Sequence, residues 1–219
     1  MDNNLKSCDL EVGTTVLKNV VGSMGAPGSE RDPKADVVFV DDKKSLVGFT
    51  SLKEGTNVKN FQQWGGLSKI KDPEIDVFVA KLKSYLDSKG LKGVPQGETI
   101  WSEIKSNDLK NKLAWGLQYG FSNFGIENVE FIMQGSPRVS EVKTGNKIYA
   151  KLEVSHLITR HGNEIESTQS PYRPIFCALF RNDRSDFGVN KTRIFAYSYG
   201  GRNLHTDLTR YNLPNKKAK

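Results

Sequence analysis

Residues 37 to 52, VVFVDDKKSLVGFTSL, place apolar side chains on both faces of a hairpin. A turn at Asp42 and Lys43 sets Asp41 opposite Lys44, Asp36 opposite Phe49 and Lys34 opposite Ser51. On that register Val38, Val40, Val47 and Phe49 share one face, and Val37, Phe39, Leu46 and Leu52 share the other. Such a pair belongs within a sheet covered on both sides, since an isolated ribbon would leave one apolar face in water. The same alternation gathers Asp36, Ser51 and Lys53 on one face at the strand ends. A slip of one residue would turn Asp36 to the opposite face.

The rest of the chain supplies the remaining layers. Residues 5 to 21 carry Leu5, Leu10, Val16, Leu17, Val20 and Val21 and read as a poorly capped helix. GSMGAPGSERDP, 22 to 33, is a loop by its glycines and prolines. TNVKNFQQWGGLSK reads as a short helix that starts at Thr56 or Asn57 and stops at Gly65 and Gly66. The clearest helix is DPEIDVFVAKLKSYLDSKG, with Asp72 as cap, Pro73 in the first turn and Gly90 at the end. Ile75, Phe78, Val79, Leu82, Tyr85 and Leu86 form its apolar stripe. A looser helical region covers about 99 to 119. Strand patterns follow in NVEFIMQG, NKIYAKLEVSHLITR, PIFCALFR and TRIFAYSYG. The expected class is α/β (α+β), a mixed central sheet flanked by helices with a strand-rich C-terminal part. A single domain is expected over 1–219: a core at about 5–135, a helical insertion at about 72–120, an extension at about 136–212 and a loose tail at 213–219.

Composition narrows the function. A hydrophobic share of 37% supports a real core and argues against wholesale disorder. No apolar run is long enough to span a bilayer, and the N-terminal residues lack a secretory pattern, so a cytoplasmic protein is expected, neither secreted nor membrane-bound. Cys8 and Cys177 are the only cysteines, which excludes a disulfide framework and a Cys-rich zinc site. Cys177, inside PIFCALF, reads as a core residue. The net charge of +7 favours an anionic partner, and DNA is the expected one.

The hairpin end suits phosphodiester hydrolysis. A hard divalent cation, Mg2+ or Mn2+, takes oxygen ligands, here the Asp36 carboxylate and the Leu52 backbone carbonyl. Lys53 would orient water or stabilise charge on phosphorus. With AD at 35–36 and SLK at 51–53, the stretch resembles the PD-(D/E)XK nuclease superfamily, whose signature is an aspartate on one strand and an acid-x-lysine on the next. The run SLKEGTNVKNFQQWGG resembles phage-encoded members of that superfamily. The resemblance implies a restriction-endonuclease-like core, metal-dependent DNA cleavage in a host cytoplasm, and a catalytic set of Asp36, Ser51, Lys53 and Gln63. Ser51 stands where the superfamily has a carboxylate, Pro33 lies three residues before Asp36, and Glu11 and Glu30 are the candidates for a further helix acid.

Arg173, Arg181 and Arg184, interleaved with Tyr172, Phe176 and Phe180, suit a nucleic-acid groove, although alternation on a half-buried strand accounts for the same pattern. Arg202 follows a YSYGG turn that could cradle phosphate. His156, His161 and His205 lack metal spacing. A homodimer is a candidate assembly. The rival reading is an inactive nuclease fold, either a nucleic-acid-binding or a virion structural protein.

Overall fold

The computed structural model describes residues 7–27, 34–53, 55, 63–117, 119, 124–144, 147–161, 164–167, 174–198 and 209–212. In chain order the elements are β1 (Cys8–Val12), β2 (Thr15–Gly25), β3 (Val37–Asp41), β4 (Leu46–Lys53), β5 (Gln63–Gly66), α1 (Pro73–Ser88), β6 (Glu98–Glu103) and α2 (Asn107–Trp115). There follow β7 (Phe131–Gln134), β8 (Arg138–Thr144), β9 (Lys147–Glu153), β10 (His156–His161), β11 (Glu164–Ser167), β12 (Pro174–Phe180), β13 (Thr192–Ser198) and β14 (Thr209–Asn212). They divide into two compact units, 1–61 with 114–172 and 62–113 with 173–219. The α+β class holds. The flanking helices are few: among the described residues there are two α-helices, both starting in the second unit. Neither is long and apolar enough to cross a membrane.

The first unit holds a nine-stranded mixed sheet in the order β11-β10-β7-β4-β3-β2-β1-β9-β8. Its first strands correct the helix expected over 5 to 21. Leu10, Val12, Leu17 and Val20 are buried on a hairpin closed at Gly13 and Thr14, with Val12 paired to Thr15. Gly13 has φ +60°, where a side chain is strained, and a methyl there would sit 3.0 Å from Leu157 of β10. The sheet therefore curls until the β1–β2 turn meets β10. Inside the curl lies a core of Leu10, Val12, Leu17, Val20, Phe39, Phe131, Met133, Leu152 and Leu157. Each such side chain, fully buried, contributes about 1.5–3 kcal/mol. Val38, Ile132 and Ile158, on the other face, are buried too, so the sheet is covered on both sides.

The β3–β4 register differs from expectation in two places. The turn has three residues: Asp41 N–H donates to the Ser45 carbonyl, and Lys44 takes φ +64°. Its cause is Asp41, whose carboxylate accepts the N–H groups of Lys43 (3.0 Å) and Ser45 (2.7 Å). Phe39 thus faces Val47, a slip of one residue. A bulge at Gly48, φ +61°, adds a second slip, so Val37 faces Thr50. Two slips restore the original parity. Asp36 moves from its expected place opposite Phe49 to one opposite Ser51, still on the face of Ser51 and Lys53.

The second unit holds an antiparallel sheet ordered β14-β6-β12-β13-β5. Helix α1 forms as its sequence predicts: the Asp72 carboxylate accepts the Glu74 N–H, and Gly90 beyond its end takes φ +66°. Ile75, Phe78, Val79, Leu82 and Leu86 are buried, and Phe78 stacks on Phe176 at 4.8 Å. The region expected to be helical over 99 to 119 begins as β6, and only Asn107–Trp115 is helix. Thr99, Ile100 and Trp101 are buried in succession between β12 and β14, which a central strand allows and a one-sided helix does not. The helix expected to run to Gly66 is also corrected, since Gln63–Gly66 is a strand paired with β13; residues 56–62 lie outside the described ones.

Candidate active site

Asp36 is held between two neighbours before its side chain is considered. Its N–H donates to the Thr50 carbonyl at 2.8 Å, and its carbonyl accepts from Ala26 at 3.0 Å. The carboxylate is exposed. Ser51 Oγ donates to Asp36 Oδ2 at 3.1 Å, Leu52 N–H donates to the same oxygen at 2.6 Å, and Lys53 Nζ donates to Ser51 Oγ at 3.1 Å. Among the described residues both hydrogen bonds to this carboxylate fall on Oδ2. Three of the residues singled out from the sequence thus form one chain, Lys53 to Ser51 to Asp36. Ser51 is buried at its centre. For Leu52 it is the N–H that meets Asp36.

Two lysines face this carboxylate. Burial pushes the Lys53 ammonium below its usual range, against the pull of Asp36. Burial pushes Lys34 down to about 7, helped by the charge of Lys53 and opposed by Asp36. Lys34 N–H is fixed by the Ile126 carbonyl at 3.0 Å. Ala35 N–H donates to the same Ile126 carbonyl at 2.9 Å. Lys53 lies beside Gln134 of β7, and Gln134 beside His156 of β10. Lys53, Gln134 and His156 therefore make one row across β4, β7 and β10, and Gln134 is fully buried.

The donor set fits a magnesium ion. That ion keeps several waters and takes one or two carboxylates together with substrate phosphate. Asp36 supplies one exposed carboxylate, and Ser51 an adjacent hydroxyl oxygen. Among the described residues no three His, Cys, Asp or Glu side chains gather around a common point. Glu11 lies on β1, paired with Val16 and Lys151, and so on a strand rather than a helix; Glu30 is outside the described residues.

Gln63 opens β5, opposite Tyr197. Arg181 and Arg184 lie in the β12–β13 connection, where Arg181 Nε donates to Asp183 at 3.1 Å. Arg193, which sequence reasoning passed over, belongs with them: burial lowers its pKa first, then the charges of Arg184 and Arg181. Its guanidinium lies 5.1 Å from the Phe195 ring centre. Arg173 and Arg202 are outside the described residues.

Glu130, just before β7, faces Arg160 across the β7–β10 pairing, and Arg160 stacks on Phe124 at 4.5 Å. Burial raises the Glu130 carboxyl to about 7, with Arg160 opposing. The folded state keeps a proton that the unfolded chain loses near its ordinary value of 4.5, so stability falls as pH rises between the two. Glu130→Gln should flatten that slope and, after solvent screening, add about 1–2 kcal/mol at pH 8 while matching wild type near pH 4. Urea titrations across pH would measure it; parallel slopes for the two proteins would refute the assignment.

No family model matches the chain, and no solved structure matches it. Among curated proteins it is similar to the type II restriction enzyme CviJI of Paramecium bursaria Chlorella virus IL3A, with 26% identity over 189 residues, 85% of this chain. The chain spans about half (50%) of that relative's length.

Proposed function

We propose that this chain is a metal-dependent DNA nuclease of the PD-(D/E)XK type, hydrolysing phosphodiester bonds. The observation that carries the reading is the convergence of Asp36, Ser51 and Lys53 at the end of β3 and β4. The likeness to a viral restriction enzyme supports it and widens the expected phage origin to a viral one. Asp36 and Ser51, with the Leu52 carbonyl, would hold Mg2+ or Mn2+. When bound, the ion would supply a Lewis acid and an acidified water.

The protein's own residues have separable tasks. Asp36 fixes its position through Leu52 N–H and Ser51 Oγ, so its carboxylate is oriented before substrate arrives. Ser51 holds the Lys53 ammonium close to that carboxylate. Lys53 then donates to a phosphate oxygen as negative charge grows on it. Because Lys53 is half-buried, that contact is stronger than one made in bulk water. Arg181, Arg184 and Arg193 would neutralise backbone phosphates away from the cleaved bond.

Nicking of supercoiled plasmid with added Mg2+ or Mn2+ tests the reading. Lys53→Ala should slow cleavage about a hundredfold, the scale of one lost electrostatic contact. A wild-type protein that retains DNA without nicking it under any divalent ion would favour the inactive nuclease fold, with Ser51 in the acidic place.

A further inference from the structure

Asp36 stands one residue before the start of β3, so the ladder with β4 does not by itself fix the segment that leads into it. A turn distant in sequence holds that segment. The Ile126 carbonyl accepts two successive N–H groups, of Lys34 at 3.0 Å and of Ala35 at 2.9 Å, and Ala35 is buried. The same stretch reaches the other strand of the site. Glu130 N–H donates to the Phe49 carbonyl at 2.8 Å, next to Thr50, whose own carbonyl takes the Asp36 N–H. Residues 126–130 thus tie the entry to β3 and the body of β4 to one another. The turn is closed by paired backbone bonds between Gly125 and Asn128, at 2.9 and 3.1 Å. It is seated on Gly116, where φ is +128° and a methyl would lie 2.1 Å from the Glu127 carbonyl oxygen and 2.6 Å from Asn128 Oδ1. Only glycine lets backbone come this close. Val129 N–H donates to the Trp115 carbonyl at 2.8 Å and pins the seat.

We propose that the turn at 125–128, seated on Gly116, is the positioning element of the active site: through the Ile126 carbonyl it sets where the Asp36 carboxylate stands relative to Ser51 and Lys53. Gly116 and Asn128 are then positioning residues that the aspartate-and-lysine signature does not include. The inference rests on the nuclease reading for what the site does, and on the hydrogen bonds alone for the coupling. A carboxylate that takes a cation must be oriented before the ion arrives, and groups that orient a ligand without touching the metal change metal affinity when they are lost. A methyl at Gly116 would meet backbone, which cannot swing aside as a side chain can. The turn itself must move, and it carries the Ile126 carbonyl with it.

The test compares wild type with Gly116→Ala and Asn128→Ala, and with Gly22→Ala as control, since a methyl at Gly22 meets nothing within 4 Å. Amide hydrogen exchange on the metal-free protein reads the coupling. Gly116→Ala should speed exchange at Lys34, Ala35 and Asp36 about tenfold or more, while the amides of the β1–β2 hairpin exchange as in wild type. Plasmid nicking against Mg2+ concentration reads the consequence. Gly116→Ala should raise the half-saturating Mg2+ about tenfold to a hundredfold, and excess Mg2+ should restore part of the rate. A variant that had only lost stability would lower the active fraction and leave the Mg2+ midpoint where it was. Asn128→Ala should move both readouts the same way by less, and it carries the test if Gly116→Ala fails to fold. Unchanged exchange at Lys34 and Ala35 in the folded variant would overturn the proposal, as would faster exchange with an unmoved Mg2+ midpoint. If exchange quickens but wild type never nicks DNA, the turn's hold on Asp36 stands and the nuclease reading fails.

Discussion

Asp36→Asn should lower metal-dependent cleavage by a hundred- to a thousandfold while the protein stays folded and still holds DNA. The carboxamide matches the carboxylate in size, and its oxygen can still accept the Ser51 hydroxyl and the Leu52 N–H. What is lost is the charge, and with it a ligand suited to a hard cation. Removing a negative group from beside Lys34 and Lys53 should leave DNA affinity in EDTA equal or higher. Plasmid nicking and duplex anisotropy on the same preparation would read both effects. Cleavage at the wild-type rate would place the chemistry elsewhere in the chain, and loss of both activities would reduce Asp36 to a structural role.

The second large effect is expected at Gly48, which has no polar side chain. Gly48→Ala would put a methyl at φ +61°, 2.3 Å from Leu17 Cδ1 and 2.8 Å from the Phe39 ring. The left-handed backbone costs about 1–2 kcal/mol for an L-residue, and overpacking about 1–3 kcal/mol more. A loss of about 2–5 kcal/mol in urea unfolding is therefore expected. If β4 instead escapes by losing the bulge, Asp36 turns to the face away from Ser51 and Lys53, and cleavage disappears with little loss of stability. A variant that kept both stability and cleavage would show that the bulge does not set the register.

The placement of Asp36, Ser51 and Lys53 was legible because a period of two depends on parity, and two separate slips cancel in it. A two-residue turn at Asp42 and Lys43 accounts for neither slip. Asp41 as a turn cap and Gly48 as a bulge are the local signals that the alternation of apolar residues leaves out. Helix α1 was legible from its cap, its Pro73 and its stripe. The β1–β2 hairpin was not, because Leu10, Leu17, Val20 and Val21 also fit a helical spacing. The competing signal was Val12-Gly13-Thr14-Thr15, a glycine-led two-residue turn between alternating apolar positions. Gln134 and His156 could not be placed beside Lys53 from local pattern, because their alignment depends on the registers of β7 and β10. Their residue types alone carried no hint of the row.

The parallel pairing of β4 with β7 has a kinetic side. Among the described residues, four elements, β5, α1, β6 and α2, are synthesised between those two strands. While they emerge, the β3–β4 hairpin can already exist, but the outer edge of β4 has no strand beside it. An unpaired edge invites pairing with another copy of the chain, and natural proteins blunt such edges with charged residues, lysine above all. Lys53 ends that edge strand. During biosynthesis the lysine assigned to phosphate would thus also discourage a nascent chain from aggregating before β7 arrives.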